Sequence, residues 1–218
     1  MCMKSTMRSL FLSRVAYMSS EQAIAERLQT LGPVFRSGDA VGAGVSWRDL
    51  YRARDAGLVL ELSRGLFQLR EAAGLDQLDF VAACARAPRA VVCLGSALAY
   101  WDLSDEIPAW IDLAVPSGAH RPRMDRPPTR VHVFNAATFA LGRIRVTVAR
   151  GAGFAITNAE RTVVDCFRTR HRLGETLAVG GLRRYLRQPD AKTGRLLELA
   201  EALRVRTPVL GALQFLQE

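Results

Sequence analysis

The sequence has few cysteines, and they are not arranged to bind a metal. The four cysteines, at positions 2, 84, 93 and 166, form no C-x-x-C pair and share no ligand spacing with the three histidines, at 120, 132 and 171. This pattern argues against a zinc site, and we expect no bound metal. Cys84 and Cys93 stand in apolar runs, so we expect them to be buried thiols in a reducing cytoplasm.

Long apolar runs are also missing. No run approaches the ~20 residues of a membrane helix. The apolar patches of the first twenty residues, such as Leu10–Leu12, are short, too short for a signal peptide. We therefore expect a cytoplasmic protein without membrane association. We expect residues 1–19 to be a disordered lead or an over-called start, with Met18 as the alternative initiator.

The sequence lacks the motifs of common enzymes. It has no G-x-x-x-x-G-K-[ST] phosphate loop, no set of kinase loops, no G-x-S-x-G elbow and no H-E-x-x-H helix. These absences argue against a conventional nucleotide site, although an atypical one stays open. We therefore expect no cofactor, and these absences favour a protein that is not an enzyme.

Positive charge is abundant but unevenly distributed. Of the thirty basic residues only Lys4 and Lys192 are lysine, and the net charge is +9. Residues 20–72 are neutral, residues 73–117 carry −4 and residues 118–218 carry +10. The C-terminal half therefore holds the positive excess, which suits an acidic partner or RNA.

One stretch in the N-terminal third predicts a helix followed directly by a hairpin. Ser46 is a favourable N-cap, because its hydroxyl can accept a hydrogen bond from the first turn. Leu50 and Ala53 are spaced to share one face of the helix, and Gly57 supplies the stop. Two short apolar runs follow, joined by a turn that carries Arg64. This is the layout of a recognition helix and its wing.

The outward face of that helix supplies candidate DNA contacts. A recognition helix reads base edges with its outward side chains, while contacts to phosphate fix its register. The predicted DNA-binding residues are Trp47, Arg48, Tyr51 and Arg52 on the helix and Arg64 on the wing. The alternative is a solvated surface on an adaptor domain that has lost DNA binding, which the acids Asp49 and Asp55 on the same helix would suit.

A family resemblance covers this stretch and two later ones. Residues 44–70, GVSWRDLYRARDAGLVLELSRGLFQLR, resemble the winged helix-turn-helix that opens AbiEi-family antitoxins. VCLGSALAYWDLSDEIPAWIDLAVP and ITNAERTVVDCFRTRHRLGE resemble segments of the same family's C-terminal domain, so the resemblance extends roughly over residues 20–205. It implies a type IV antitoxin that represses its own operon and counters a nucleotidyltransferase toxin of the AbiEii type.

The periodicity of the remaining chain predicts an α+β fold of two domains. A polar connection at residues 71–76 separates a winged helix-turn-helix over residues 20–72 from a C-terminal mixed α/β antitoxin domain over residues 75–218, with a small sheet and C-terminal helices. The predicted helices are Ser19 or Ser20 to Leu31, Ser37–Ala43, Gln77–Ala87, 95–101, 157–170, Glu175–Arg187 and Arg195–Arg204, followed by a tail from Pro208. The predicted strands are Ala90–Leu94, Ile111–Val115, Val131–Phe134 and Ile144–Val148.

Arg161 and Asp165 form the candidate catalytic pair. They lie four residues apart on a helix that a capping box at Thr157 and Glu160 is expected to open. Two interpretations stay open. One is an ordinary surface ion pair between helix neighbours. The other is a structural or catalytic centre in which flanking arginines, Arg161 and Arg168, depress the pKa of the carboxyl so that it binds a cation or positions a phosphate.

A second candidate is a proline- and arginine-rich loop, expected to bind the partner. Its predicted partner-binding residues are Arg121, Arg123, Arg126 and Arg130. The plain alternative is a solvated basic run. Segment 101–110, earlier in the chain, is the acidic counterpart of this loop.

Together these features predict an antitoxin whose partners are operator DNA and a nucleotidyltransferase toxin. Two alternatives are kept. One is an enzyme that modifies the toxin by phosphotransfer, for which ATP and magnesium would be needed. The other is a plain transcriptional regulator.

Overall fold

The chain folds into two compact units. The computed structural model describes residues 21–72, 77–149 and 152–217. The first unit comprises residues up to Leu78 together with Thr147–Ala152, and the second comprises Asp79–Val146 and Gly153–Glu218. The expected lead over residues 1–19 and the cap at Ser19 or Ser20 lie outside the described residues, as does most of the expected boundary at residues 71–76.

The first unit combines helices with a small antiparallel sheet. Residues 21–29 are helical (α1). The elements that follow are β1 (Val34–Arg36), α2 (Ser37–Gly42), α3 (Trp47–Asp55), β2 (Val59–Ser63) and β3 (Leu66–Leu69). The strand order is β1-β3-β2, with both pairings antiparallel. Strand β1 was not predicted from the sequence, because three residues are too few to show an alternating pattern.

Helix α3 and its hairpin form as their local sequence predicts. The Ser46 hydroxyl accepts a hydrogen bond from the backbone N–H of Asp49 at 3.2 Å, and Gly57 ends the helix region with a φ of 75°. Leu50 is fully buried and packs with Phe35 and Phe67 in the core of the unit. This packing leaves the opposite side of α3 turned toward solvent.

The other sheet is mixed and has five strands. Its strands are β4 (Val91–Val92), β5 (Ile111–Pro116), β6 (Thr129–Phe134), β7 (Arg143–Ala149) and β8 (Ala152–Thr157), in the order β6-β5-β4-β8-β7. Strands β5 and β6 are parallel, as are β4 and β8, whereas β4 and β5 are antiparallel. Strand β4 is shorter than predicted because a helix already begins at Leu94.

The remaining helices complete an α+β fold, as the sequence predicts. They are α4 (Leu78–Arg86), α5 (Leu94–Tyr100), α6 (Ala159–Arg168), α7 (Arg170–Leu173), α8 (Glu175–Arg187), α9 (Thr193–Ala202) and α10 (Arg206–Gln217). Helix α6 packs against α5, α8 and α9, so it is surrounded by other elements. Val163, Val164 and Phe167 of α6 belong to the main core cluster of the unit.

The predicted tail from Pro208 is wrong, because this segment is helix α10. Pro208 is the third residue of the helix, where the missing backbone N–H would have no partner inside the helix in any case. Val209 and Leu213, four residues apart, are buried against the main core. The proline therefore lies in the first turn of a helix and does not end one.

The predicted capping box at Thr157 is also wrong. Strand β8 continues through Thr157, whose hydroxyl lies 2.7 Å from the hydroxyl of Thr162. Asn158 caps helix α6 instead, and its side-chain oxygen accepts a hydrogen bond from the backbone N–H of Arg161 at 2.9 Å. Glu160 suggested the capping box because it stands three residues after Thr157.

No helix in the described part of the chain combines the length and apolar composition that crossing a membrane requires.

Candidate functional site

The predicted DNA contacts of the first unit lie at the surface, with one exception. Trp47, at the start of α3, is 51% exposed although it is a large aromatic side chain. Arg48 and Arg52 are exposed on the same helix, and Arg64 is exposed on the turn between β2 and β3. Arg52 lies 3.6 Å from the carboxylate of Asp49, one turn earlier. We call Trp47, Arg48, Arg52 and Arg64 the recognition face.

Tyr51 differs from its neighbours because it is only partly exposed. Its ring stacks on Trp47 with the centroids 6.3 Å apart and meets the buried Phe67 edge-on at 6.2 Å. The guanidinium of Arg54 lies 4.6 Å from the centre of the same ring. Tyr51 therefore supports Trp47 on the surface and connects it to the core.

A link between α3 and the wing was not predicted from the sequence. Arg54 Nη1 donates to Glu61 Oε2 at 3.1 Å, which ties the end of α3 to strand β2. The other carboxylate oxygen of Glu61 accepts from the backbone N–H of Gly65 at 3.3 Å, in the turn that presents Arg64. Nothing in the sequence showed this link, because Arg54 and Glu61 lie on different elements and meet only when the hairpin folds back toward the helix. Arg54 and Glu61 fix the wing relative to the helix.

Arg161 and Asp165 are not a surface ion pair. Both side chains are completely buried, and Arg161 Nε donates to Asp165 Oδ2 at 2.9 Å. Arg168 Nη2 lies 2.8 Å from the other carboxylate oxygen, and the Arg168 guanidinium stacks 4.2 Å from the ring centre of Phe134. The interpretation as a surface ion pair is therefore wrong, because this face of α6 is buried, as is the face with Val163, Val164 and Phe167.

The expected depressed pKa of Asp165 is also wrong. Burial removes the carboxylate from water and raises its pKa, and this effect outweighs the opposing charges of Arg168 and Arg161. Three buried guanidinium nitrogens, Arg161 Nη2, Arg168 Nε and Arg168 Nη2, form no hydrogen bond with the described residues, although Arg168 Nη2 lies within ion-pair distance of Asp165. The cluster thus holds more positive than negative charge.

The Arg161 side chain also holds the loop before β7. Its Nη1 donates to the backbone carbonyls of Thr138 at 2.9 Å and Leu141 at 2.6 Å. Gly142 follows with a φ of 64°, and a Cβ there would lie 2.5 Å from the Arg161 Cβ. The glycine lets the loop approach helix α6 closely. These contacts join the loop to helix α6.

The arginine-rich loop divides into two parts. Arg121, Arg123 and Arg126 are exposed, while Met124 is buried and anchors the loop. Arg130 lies on strand β6, where its Nε donates to Asp112 Oδ1 at 2.9 Å and its guanidinium covers the ring of Trp110 at 4.1 Å. The first three arginines are available for a partner, and Arg130 is fixed in place by contacts within the unit.

The buried carboxylate of Asp112 contacts two side chains of the neighbouring strand, Arg130 and His132. Its side chain is 2% exposed, and His132 Nε2 lies 2.8 Å from the same oxygen that binds Arg130. Asp112 lies opposite Arg130 across the β5–β6 pairing. Gly95, at the start of α5, lies close to this carboxylate, and a Cβ there would approach Asp112 Oδ2 to 3.0 Å. Strand pairing brings these residues together, and their sequence separation gave no sign of it.

The cysteines of the described chain are buried thiols. Burial raises the pKa of Cys84 to about 11, and it raises the pKa of Cys93 and Cys166 as well. Within residues 21–72, 77–149 and 152–217, no three His, Cys, Asp or Glu side chains come together as they would around a metal ion. Thiolate chemistry at neutral pH is therefore disfavoured at these three positions.

A comparison with family models gives a match in the N-terminal segment. A search of the curated proteins found no match. Among solved structures, the chain is similar to the crystal structure of the RV2827C protein from Mycobacterium tuberculosis, with 14% sequence identity and a TM-score of 0.47, over 88% of this chain and 79% of that one. Residues 22–70 match the family model described as "Transcriptional regulator, AbiEi antitoxin". The matched residues run from helix α1 to strand β3 of the first unit.

Proposed function

We propose that this protein is a cytoplasmic antitoxin that represses its own operon and neutralises a nucleotidyltransferase toxin. The observation that carries the proposal is the position of the family match. It spans residues 22–70 and so contains helix α3 and the hairpin that together present the recognition face. In this proposal the first unit binds operator DNA and the second unit acts on the toxin.

The exposed side chains of the recognition face support its role in DNA binding. Arginine can make paired hydrogen bonds to guanine from the major groove, and Arg48 and Arg52 stand one turn apart on the outward side of α3. Arg64 on the wing is suited to a phosphate contact, which adds affinity without sequence preference. The Arg54–Glu61 link holds wing and helix as one surface.

The buried Arg161–Asp165 pair supports a non-catalytic mode of neutralisation. A catalytic group must reach its substrate, and neither side chain is exposed to solvent. The pair instead fixes α6 and the loop at Thr138–Leu141. The second unit therefore acts through its surface, where Arg121, Arg123 and Arg126 are the accessible cations of the loop.

The mode of action is tested by titrating purified toxin with the full-length chain. If neutralisation works by binding, toxin activity falls to zero near one antitoxin per toxin, and the mass of the toxin is unchanged. Inactivation by substoichiometric antitoxin with ATP and magnesium, with a mass increase of one phosphate on the toxin, would establish the enzymatic alternative. Repression is tested separately, by a gel shift with the DNA upstream of the gene.

A further inference from the structure

Trp47 is a large aromatic side chain that the first unit leaves in contact with water. It is the first residue of helix α3, directly after the N-cap Ser46, and it is 51% exposed. Leu50, one turn further along the same helix, is fully buried. An indole ring that stays in water forgoes the stabilisation that its burial would give. Its position therefore favours a partner that covers it.

We propose that Trp47 gives the recognition face a preference for thymine, by packing its ring against the 5-methyl group of that base in the major groove of the operator. The inference rests on the proposed function and names the base that the recognition face selects. In helix-turn-helix proteins the N-terminal residues of the recognition helix contact base edges. Trp47 holds that position in α3, inside the segment that matches a family of transcriptional regulators.

The Trp47 ring is held in place by a series of aromatic contacts. Tyr51, one turn further along α3, stacks on it with the ring centroids 6.3 Å apart and an angle of 22° between the planes. Tyr51 in turn meets the fully buried Phe67 edge-on at 6.2 Å. The guanidinium of Arg54 lies 4.6 Å from the centre of the Tyr51 ring. A side chain that is ordered before binding loses less conformational entropy on contact, so this ring is suited to recognising a feature as small as one methyl group.

The charges along α3 favour nucleic acid as the partner. The two acids of the helix are engaged within the unit. Asp49 accepts a hydrogen bond from the Ser46 hydroxyl at 2.6 Å, and Asp55, at the far end of the helix, is paired with Arg54 at 2.9 Å. Arg48 follows the tryptophan directly, is exposed and has no ion-pair partner in the part of the chain that the structure describes. Phosphates line both edges of a DNA groove, so an unpaired guanidinium beside the ring suits this partner.

The chemistry of the major groove identifies the base. Base edges there present hydrogen-bond donors and acceptors, and the single apolar group among them is the 5-methyl group of thymine. A ring placed over a carbonyl or an amino group would remove water from it without replacing the hydrogen bond, which costs free energy. Packing on the methyl group avoids this cost. The indole N–H can also donate to a base acceptor, but such a hydrogen bond does not depend on the methyl group.

The test measures the affinity of the full-length chain for two duplexes with the sequence upstream of its gene. One duplex contains thymine, and the other contains uracil in place of every thymine, so that the two differ only in the 5-methyl groups. Wild type is expected to bind the thymine duplex about fourfold more tightly, the change that corresponds to burying one methyl group. Trp47→Ala is expected to bind the two duplexes equally, with an affinity for the thymine duplex at least about fourfold below that of wild type.

Two further variants serve as controls. Phe215→Ala removes another exposed aromatic ring, on α10 of the second unit, where Phe215 is 67% exposed. It should keep both the affinity and the preference for thymine. Arg48→Ala should bind both duplexes more weakly and still prefer thymine, because it removes a neighbouring contact and leaves the ring in place. Unchanged thermal unfolding shows that each variant is folded.

The outcomes separate this inference from the proposed function. Equal affinity of wild type for the two duplexes would overturn the inference, and so would a preference for thymine that persists in Trp47→Ala. A change of oligomeric state in Trp47→Ala, measured by sedimentation, would overturn it as well, because the ring would then be covered by a second copy of the chain. A wild-type chain that binds neither duplex would instead overturn the proposed repression of its own operon, and the inference with it.

Discussion

Arg161 Nε lies 2.9 Å from Asp165 Oδ2, and neither side chain reaches solvent. A buried ion pair is not in itself stabilising, because both charges lose their hydration. Removing one partner is costly, however, because the other charge stays buried without compensation. We therefore expect the fold to be sensitive to the loss of either partner alone.

We therefore expect Asp165→Asn to destabilise the protein by about 3–5 kcal/mol, since it leaves Arg161 and Arg168 buried without a counter-charge. The measurement is the free energy of unfolding in urea. Asp102→Asn is the matched control, because Asp102 is exposed with a φ of 56°, a conformation that asparagine tolerates well. Lost neutralisation by Asp165→Asn with unchanged stability would indicate a catalytic carboxylate instead.

Gly142 should resist substitution for a related reason. Gly142→Ala would place a Cβ 2.5 Å from the Arg161 Cβ at a φ of 64°, so we expect a clear loss of thermal stability. Gly180→Ala, inside helix α8, meets nothing within 4 Å. It should gain about 0.5–1 kcal/mol from helix propensity. A loss of stability in Gly142→Ala together with a gain in Gly180→Ala would confirm the close approach of the loop to α6. Equal changes in stability in the two variants would contradict it.

The structural predictions were correct where the interactions join residues close together in the sequence. Ser46, Leu50 and Gly57 were assigned correctly because capping, helix periodicity and termination are all local. The spacing of Arg161 and Asp165 was visible in the sequence, but their burial was not. It depends on α5, α8 and α9 closing around α6.

Pairings between distant strands and elements were missed altogether. Asp112 and Arg130 meet because β5 and β6 lie side by side, and no sequence period links residues eighteen positions apart. Pro208 was misread because proline is tolerated in the first turn of a helix as well as after its end. The assignments of the recognition face and of the arginine-rich loop stay predictions.

For DNA binding, we expect Arg48→Ala and Arg52→Ala each to weaken binding to the operator by about 1–3 kcal/mol, with reduced discrimination between sequences. The measurement is gel-shift affinity for the operator and for a scrambled duplex. Arg195→Ala, a change of the same type on α9, should have no effect. Unchanged affinity in both α3 variants, with folding intact, would remove the recognition face from DNA binding.

The wing arginine should behave differently. Arg64→Ala is expected to weaken binding similarly for operator and scrambled DNA and to lower the slope of log affinity against log salt by about one unit, the value for one lost phosphate contact. Affinity measured across a salt series gives the slope. A slope equal to that of wild type would show that Arg64 makes no phosphate contact.

The buried thiol of Cys84 predicts a loss of stability at alkaline pH. Its pKa is about 11 in the folded chain, against 9.0 for an ordinary thiol. The unfolded chain therefore releases this proton first, and unfolding is favoured as the pH rises from 9 to 11, by up to about 2–3 kcal/mol. Urea unfolding of wild type and Cys84→Ala at pH 8 and pH 10.5 isolates the contribution. An equal alkaline loss in both proteins would contradict it.

The most direct test of the account is co-expression of the toxin with the full-length chain from a promoter that the chain does not control. This arrangement separates neutralisation from repression, because the antitoxin no longer sets the level of toxin mRNA. We predict that wild type and the Arg48→Ala/Arg52→Ala double variant restore growth equally, since the recognition face serves DNA. Failure of the wild-type chain to restore growth would contradict its assignment as an antitoxin.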